Sequence, residues 1–292
     1  MNSVAIQGIK GSNHYLVAKQ YFGTEIAFNE CLSFDQLVGA IITENCDYGV
    51  MALENTIAGS IIPNYALIDH NKLTIVGEYY LNIHHHLMAL PGQTLADIRE
   101  VCSHPMALLQ CKQFFKPFEH IKLVEDVDTA EVAKRIAKHQ LKGFAAIAPR
   151  IAADLFHLEV LEDDIQTIKN NATRFVILRK RDHTKHNKGK YIQGSSLALG
   201  NQHQDDKIDK ASLKFELDHQ RGSLAAVLNA MSDCRLNLTK IQSLPKIETP
   251  WKYAFFVDVT FDNYQDYTKA VAIIKIMAEE LKVLGEYKNG RT

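Results

Sequence analysis

The chain has 292 residues, 46% of them apolar and 23% charged, with a formal net charge of -1. That supply of apolar residues supports more than one folded core and argues against disorder, while the balanced charge argues against nucleic acid as the main partner. No apolar run approaches a membrane-spanning length, the opening residues lack an export pattern, and Cys31, Cys46, Cys102, Cys111 and Cys234 form no CxxC pair, so a cytoplasmic protein with free thiols and no membrane partner is expected.

The segment VAIQGIKGSNHYLVAKQYFG predicts a strand over 4–6, a turn bracketed by Gly8 and Gly11, and a helix capped by Ser12 and stopped by Gly23. It matches no nucleotide-binding fingerprint, but a helix N-terminus offers free N–H groups to an anion. In DYGVMALENTIAGSI a buried strand over 50–53 leaves Glu54, Asn55 and Thr56 at its C-terminal end, the place where open α/β sheets bind ligands. The histidines 84–86 invite a metal, but neighbours in a strand alternate in direction and cannot easily converge on one ion. No metal is expected there, and the three are read as part of a hinge.

SHPMALLQCKQFF predicts a helix with Ser103 as cap and Leu108, Cys111 and Phe115 on one stripe. His104 lies on roughly the same face as Cys111, but the thiol is read as packed rather than catalytic. DTAEVAKRIAKHQLKG shows a capping box from Asp128 to Glu131 and a stop at Gly143, and FAAIA a short buried strand. Strands alternating with helices predict α/β units with a parallel sheet. Residues 181–210 are polar and weakly patterned and read as a linker. The remainder, 211–292, follows the order βαββαβ, a ferredoxin-like plan. Helices cover one face of that sheet and the other is free for a partner, so a homo-oligomer is expected.

Six collinear segments carry a family resemblance: GIKGS, ALENTIAGS, SHPMALLQC, NNATRF, GSLAAVL and NLTKIQSLP. In these the chain resembles the monofunctional prephenate dehydratases that carry a C-terminal ACT regulatory domain. The resemblance implies a two-lobed catalytic half of the type II periplasmic-binding-protein kind over 1–180, with lobe 1 at about 1–76 plus 167–180 and lobe 2 at about 77–166. It implies conversion of prephenate to phenylpyruvate, carbon dioxide and water without a cofactor. It also implies feedback by L-phenylalanine through the ACT domain of a homodimer or homotetramer. Arogenate dehydratase and a non-catalytic sensor on the same fold stay open.

The resemblance assigns departure of the substrate hydroxyl to Thr173 of NNATRF. In an extended segment Phe175 shares the face of Thr173 and can pack against the substrate ring, whereas Arg174 points the other way. Arg174 is read as a carboxylate ligand, with a structural ion pair between lobes as the alternative. Asn171, Asn55, Thr56 and Ser12 complete the substrate-binding set, with Glu54 bonded to nearby backbone rather than acting as a base. His14 is given no role, and Ser103, His104 and Gln110 are read first as capping or lobe-interface residues. The effector set comprises Gly222, Ser223, Leu224, Asn237 and the loop Gln242, Ser243, Leu244, Pro245. That loop lacks the glutamate and arginine of the family's ESRP wording, which puts the effector in question.

Overall fold

Apolar strand centres buried on both faces, at 4–6, 50–53 and 175–178, need cover on both sides, and the N-terminal sheet receives it from helices and from a second unit. The computed structural model describes residues 2–181, 208–218, 220–245 and 252–291. In it β1 (Ser3–Gln7), β2 (Ala27–Cys31) and β3 (Tyr48–Asn55) pair in parallel, connected by α1 (Asn13–Phe22) and α2 (Phe34–Ile42). The short β4 (Gly59–Ser60) folds back on β3, and α3 (Ile62–His70) leads to β5 (Leu73–Asn82).

The chain then crosses to a second sheet built from β6 (His86–Ala89), β7 (Glu100–Ser103), α4 (Pro105–Cys111), β8 (Lys122–Glu125), α5 (Thr129–His139), β9 (Phe144–Ala148), α6 (Arg150–Phe156) and β10 (Glu159–Glu162). Its strand order is β10-β6-β9-β7-β8. The chain returns as β11 (Ala172–Lys180), antiparallel to both β3 and β5 between them. Two crossings thus join two α/β lobes, the periplasmic-binding-protein arrangement. The boundary expected near residue 76 falls inside β5. That strand stays paired with β11 as far as Asn82, so the first crossing is at 83–85.

Local chemistry sets the ends of these elements. Ser12 accepts from the Tyr15 N–H at 3.2 Å and Gly23 adopts φ 87°, which starts and stops α1 as its sequence predicts. Asp128 likewise accepts from the Ala130 and Glu131 N–H groups at the head of α5. Two details differ. Ser103 ends β7 and donates its hydroxyl to the Ile147 carbonyl at 2.7 Å, so capping of α4 passes to His104. Helix α5 ends at Gln140, which takes the left-handed conformation three residues before Gly143.

Beyond the residues of the expected linker, most of which lie outside the described ones, come β12 (Lys210–Glu216), α7 (Ser223–Asp233), β13 (Asn237–Pro245), β14 (Tyr253–Thr260), α8 (Tyr264–Met277) and β15 (Glu280–Tyr287). They form an antiparallel ferredoxin-like sheet in the order β13-β14-β12-β15. Val257, Val259 and Phe261 pack beneath the helices with Val227, Met231, Tyr267 and Ile274. The opposite face, expected to be free, is covered by the chain's own first lobe. Ala254, Phe256, Leu284 and Tyr287 share a core with Met51, Tyr65, Leu73 and Val176. At the seam β15 meets β5 through Gly285 and Ile75. A Cβ at Gly285 would stand 2.2 Å from the Ile75 carbonyl oxygen, so only glycine permits the approach.

Charges are buried in this seam. Arg174 projects from β11 into the seam, bonding through Nε to Glu78 at 2.6 Å, through a second nitrogen to Asp258, and through Nη2 to the Tyr287 hydroxyl at 2.8 Å. Lys210 reaches the same Glu78 at 2.8 Å. Arg174 is 3% exposed. Its expected role as a carboxylate ligand is therefore corrected, because the guanidinium is committed to the junction between the first lobe and the ferredoxin-like unit. Truncating one partner of a buried pair leaves the other charge uncompensated. Asp258→Ala is expected to lower unfolding stability by about 3–5 kcal/mol, read as a reduced urea midpoint by far-ultraviolet circular dichroism.

Candidate active site

The C-terminal end of β3 departs from regular pairing. Asn55 lies opposite Thr173 and Glu54 opposite Arg174, but Phe175 is opposite Ala52, which leaves Leu53 as the extra residue of a bulge. Side chains and the adjoining turn serve the backbone there. His14 Nε2 accepts from the Ala52 N–H at 3.3 Å, Asn64 Nδ2 donates to the Ala52 carbonyl at 2.7 Å, and the Ile61 N–H donates to the Leu53 carbonyl at 3.0 Å. Bulges of this kind re-aim the side chains beyond them. Here the residues beyond are Glu54 and Asn55.

Asn55 organises the turn beyond the bulge. Its Oδ1 accepts from the Ile57 and Ala58 N–H groups at 3.0 and 2.8 Å, which shapes the approach to β4. Its Nδ2 donates to Thr173 Oγ1 at 2.9 Å and to Asn171 Oδ1 at 2.7 Å. Asn171 Nδ2 in turn donates to Gln110 Oε1 at 2.9 Å, and Gln110 Oε1 is 2.8 Å from His85 Nε2. This chain of bonds runs from the edge of the first lobe, across both crossings, to α4 of the second. Thr56 closes the turn by a reciprocal clip, its Oγ1 accepting from the Ala172 N–H at 2.9 Å while its own N–H donates to the Ala172 carbonyl at 2.9 Å.

The structure thus brings Asn55, Thr56, Asn171 and Thr173 together. It places Phe175 elsewhere: the ring is in the core under α1, edge-on to His14 at 5.0 Å, and props the bulge instead of facing a substrate. Ser12 stands at the head of α1 in a loop that faces the second lobe, where a Cβ on Gly8 would lie 2.9 Å from Asp128 Oδ2. His14, Asn64 and His85 belong to the site's support and carry no sequence signature of that role, while Gln110 is the lobe-interface residue the sequence indicates. Of the three adjacent histidines, His84 and His86 lie on one side with rings stacked at 6.4 Å and pair with Asp164 and Asp163, while His85 turns away to Gln110. Burial pushes the Cys111 thiol up to about 12, which leaves it without thiolate character.

In the ferredoxin-like unit a cavity of about 130 Å³ is lined by residues including Ser223, Leu224, Lys252, Tyr253 and Phe255. Gly222 caps α7 at its rim with φ 87°. Ser243 pairs across strands with Phe255, and Pro245 with Tyr253, whereas Leu244 packs toward the catalytic lobe. Asn237, at the start of β13, and Gln242, opposite Phe256, do not line the cavity.

A model of the family described as prephenate dehydratase matches residues 4–183. The chain belongs to the prephenate dehydratase family. Among curated relatives, the arogenate dehydratase 2 of Petunia hybrida is 33% identical, the match covering 97% of this chain and 71% of that protein. The bifunctional chorismate mutase/prephenate dehydratase of Enterobacter agglomerans is 30% identical, with 97% of this chain and 70% of that protein covered. Among solved structures, GqqA, described as a novel type of quorum quenching acylase, superposes with a TM-score of 0.82 at 26% identity, covering 98% of this chain and 97% of that one. A prephenate dehydratase from Arthrobacter aurescens in complex with L-Phe superposes at 0.81 with 20% identity, covering 99% and 90%. The dehydratase family therefore accounts for the catalytic lobes, and the full-length superpositions extend to the ferredoxin-like unit.

Burial lowers the His14 pKa from 6.5 to about 3, so the ring stays neutral and accepts from Ala52. Between those values the unfolded chain binds a proton that the folded chain refuses. The contribution of His14 is then complete above about pH 6.5 and is lost as pH falls toward 3. His14→Gln retains an acceptor without the titration. It is expected to flatten the fall in urea midpoint between neutral pH and pH 5, measured side by side with the unsubstituted protein.

Proposed function

We propose that this cleft catalyses the decarboxylating dehydration of prephenate, with Thr173 as the hydrogen-bond donor to the departing hydroxyl. The observation that carries the reading is the direction of one hydrogen bond. Asn55 Nδ2 can only donate, so Thr173 Oγ1 accepts from it. The threonine proton is thereby directed to another acceptor, and a donor already polarised in this way is a stronger one. The reaction consumes one proton. The bond to the ring carboxylate breaks, its electron pair enters the ring, carbon dioxide leaves, and the ring C–O bond releases hydroxide that is neutralised to water. The driving force is the aromaticity gained by the substrate. The protein's task is to hold a dianion, exclude water and stabilise charge on the leaving oxygen.

With Arg174 committed elsewhere and both N–H groups of Asn55 spent on Thr173 and Asn171, the carboxylates are left to the hydroxyl of the exposed Thr56 and to the first turn of α1 behind Ser12, where backbone N–H groups suit anions. The acylase named among the structural neighbours raises a second chemistry. Acyl transfer through a threonine hydroxyl needs a base to remove its proton. Among the described residues, the one hydrogen bond to Thr173 Oγ1 comes from an amide donor, which favours proton donation over nucleophilic attack.

For regulation, we assign the cavity beside α7 to L-phenylalanine, in an ACT role like that of the family. Support comes from Leu217, Leu224, Tyr253 and Phe255 as the apolar part of its lining, from Ser223 and Lys252 as a polar part, the lysine shared with Glu279, and from the L-Phe complex of the structural neighbour. Residues 242–245 lie in β13 rather than in a loop, and Ser243 and Pro245 back the cavity through their cross-strand partners Phe255 and Tyr253. The unit's edge strand β13 fits association into a homodimer or homotetramer. Five free cysteines, four of them buried, fit a cytosolic setting.

Purified protein given prephenate is expected to form phenylpyruvate. Arogenate and an N-acylated amine, run in parallel, are expected to react more slowly or not at all. Thr173→Val should lower kcat by about 10²–10⁴-fold, the usual worth of a positioned acid, with substrate binding by calorimetry largely retained. Absence of turnover by the wild-type protein, or wild-type kcat in Thr173→Val, would overturn the reading. Titration with L-phenylalanine is expected to inhibit, with Ser223→Trp abolishing the effect by filling the cavity.

A further inference from the structure

Two pairs of neighbouring residues face each other across the seam beneath the site. In the first lobe Glu54 and Arg174 are cross-strand partners on β3 and β11. In the ferredoxin-like unit Lys240 and Asp258 are cross-strand partners on β13 and β14. Arg174 bonds Asp258, and Lys240 bonds Glu54 at 2.8 Å, so the four charges close a square of alternating sign. The next pair along the same two catalytic strands is Asn55 and Thr173. The two contacts differ in character. Arg174 and Asp258 are both sealed, with side chains 3% and 5% exposed, while Glu54 is 34% exposed and Lys240 10%. Lys240 also donates to Ser60 Oγ at 2.7 Å and lies over the Tyr65 ring. Its ammonium therefore holds both strands of the β3–β4 turn, Glu54 at one end and Ser60 at the other, and the turn between them carries Asn55 and Thr56.

We propose that Lys240 is a positioning residue of the catalytic cleft, supplied by the ferredoxin-like unit: by gripping Glu54 and Ser60 it fixes the turn that sets Asn55 against Thr173. Beneath the site, Arg174 and Asp258 act as the fixed point and Lys240 as the adjustable one. Since β13 also carries residues 242–245, any shift of this strand is delivered through Lys240 to the turn. The assignment deepens the dehydratase reading and rests on it, so its test includes a measurement independent of turnover.

Lys240→Met keeps the aliphatic stem and removes the charge. A misplacement of about 1 Å can cost about 100-fold in rate, so kcat for prephenate is expected to fall roughly 10- to 100-fold, with the thermal midpoint little changed. Hydrogen exchange at the Ile57 and Ala58 amides, which Asn55 Oδ1 holds, is expected to accelerate about tenfold, the scale of one weakened local contact. Glu54→Gln removes the pair from its more exposed side without stranding a buried acid and should reproduce both effects. Exchanging the two charges would set like charges beside Arg174 and Asp258, so the pairing is tested by the double variant Glu54→Gln with Lys240→Met, whose loss of rate should be far smaller than the product of the two single losses. Wild-type kcat and unchanged amide exchange in Lys240→Met, or single losses that simply multiply in the double variant, would overturn the proposal. If the wild-type protein does not turn over prephenate, the dehydratase reading fails on its own and the exchange measurement still decides whether Lys240 holds the turn.

Discussion

Arg174 is the point on which the two halves of the protein converge. Burial works against its charge, yet Asp258, Tyr287 and Glu78 surround it and hold its pKa well above the ordinary value. Burial also opposes the Asp258 carboxylate, and there Arg174 and Lys210 outweigh it, keeping that carboxyl below the usual range. Two acids and two bases sit in this patch, so the enclosed charge sums to zero. A neutral, fully bonded cluster of this sort tolerates low dielectric where any of its members alone would not. Its consequence for the site is geometric. Alternation along β11 puts Thr173 on the face opposite Arg174, so the hydroxyl proposed to act on substrate belongs to the residue next to a guanidinium held by three side chains.

Local signals in the amino-acid sequence foretold much of the fold. Ser12 and Gly23 bound α1, Asp128 caps α5, and the order βαββαβ of the C-terminal unit is the one observed. Differences arise where a tertiary partner competes for a group. Ser103 has the chemistry of a cap, but the Ile147 carbonyl on a neighbouring strand claims its hydroxyl. The second face of the ferredoxin-like sheet is apolar at Ala254 and Phe256. Period-2 patterning marks such a face as covered without saying what covers it, and the cover proves to be the same chain.

The site shows the same division. Asn55, Asn171 and Thr173 stand in two motifs over a hundred residues apart, and their polarity at strand ends marks them out. The run ATRF does not reveal which way Arg174 is spent, because a guanidinium suits a carboxylate of substrate or protein equally. Phe175 shares the face of Thr173 as an extended strand requires, but two residues further along that face is already core. Lys240 is illegible for a different reason. Nothing local distinguishes a lysine on an edge strand from a solvated one, and only the register of β13 on β14, and of that sheet on the first lobe, brings it to Glu54.

The seam also bears on how such an enzyme can be rebuilt. Gly285 packed on Ile75, the charge square, and the shared core of Phe256 and Tyr287 with Met51 make the C-terminal module part of the scaffold rather than an appendage. Grafting the corresponding module of a relative onto these lobes would carry over a foreign surface where a matched one is required. Chimeras in this family would then have to be cut so that positions 54, 174, 240 and 258 travel as a set, with the glycine at 285 among the passengers.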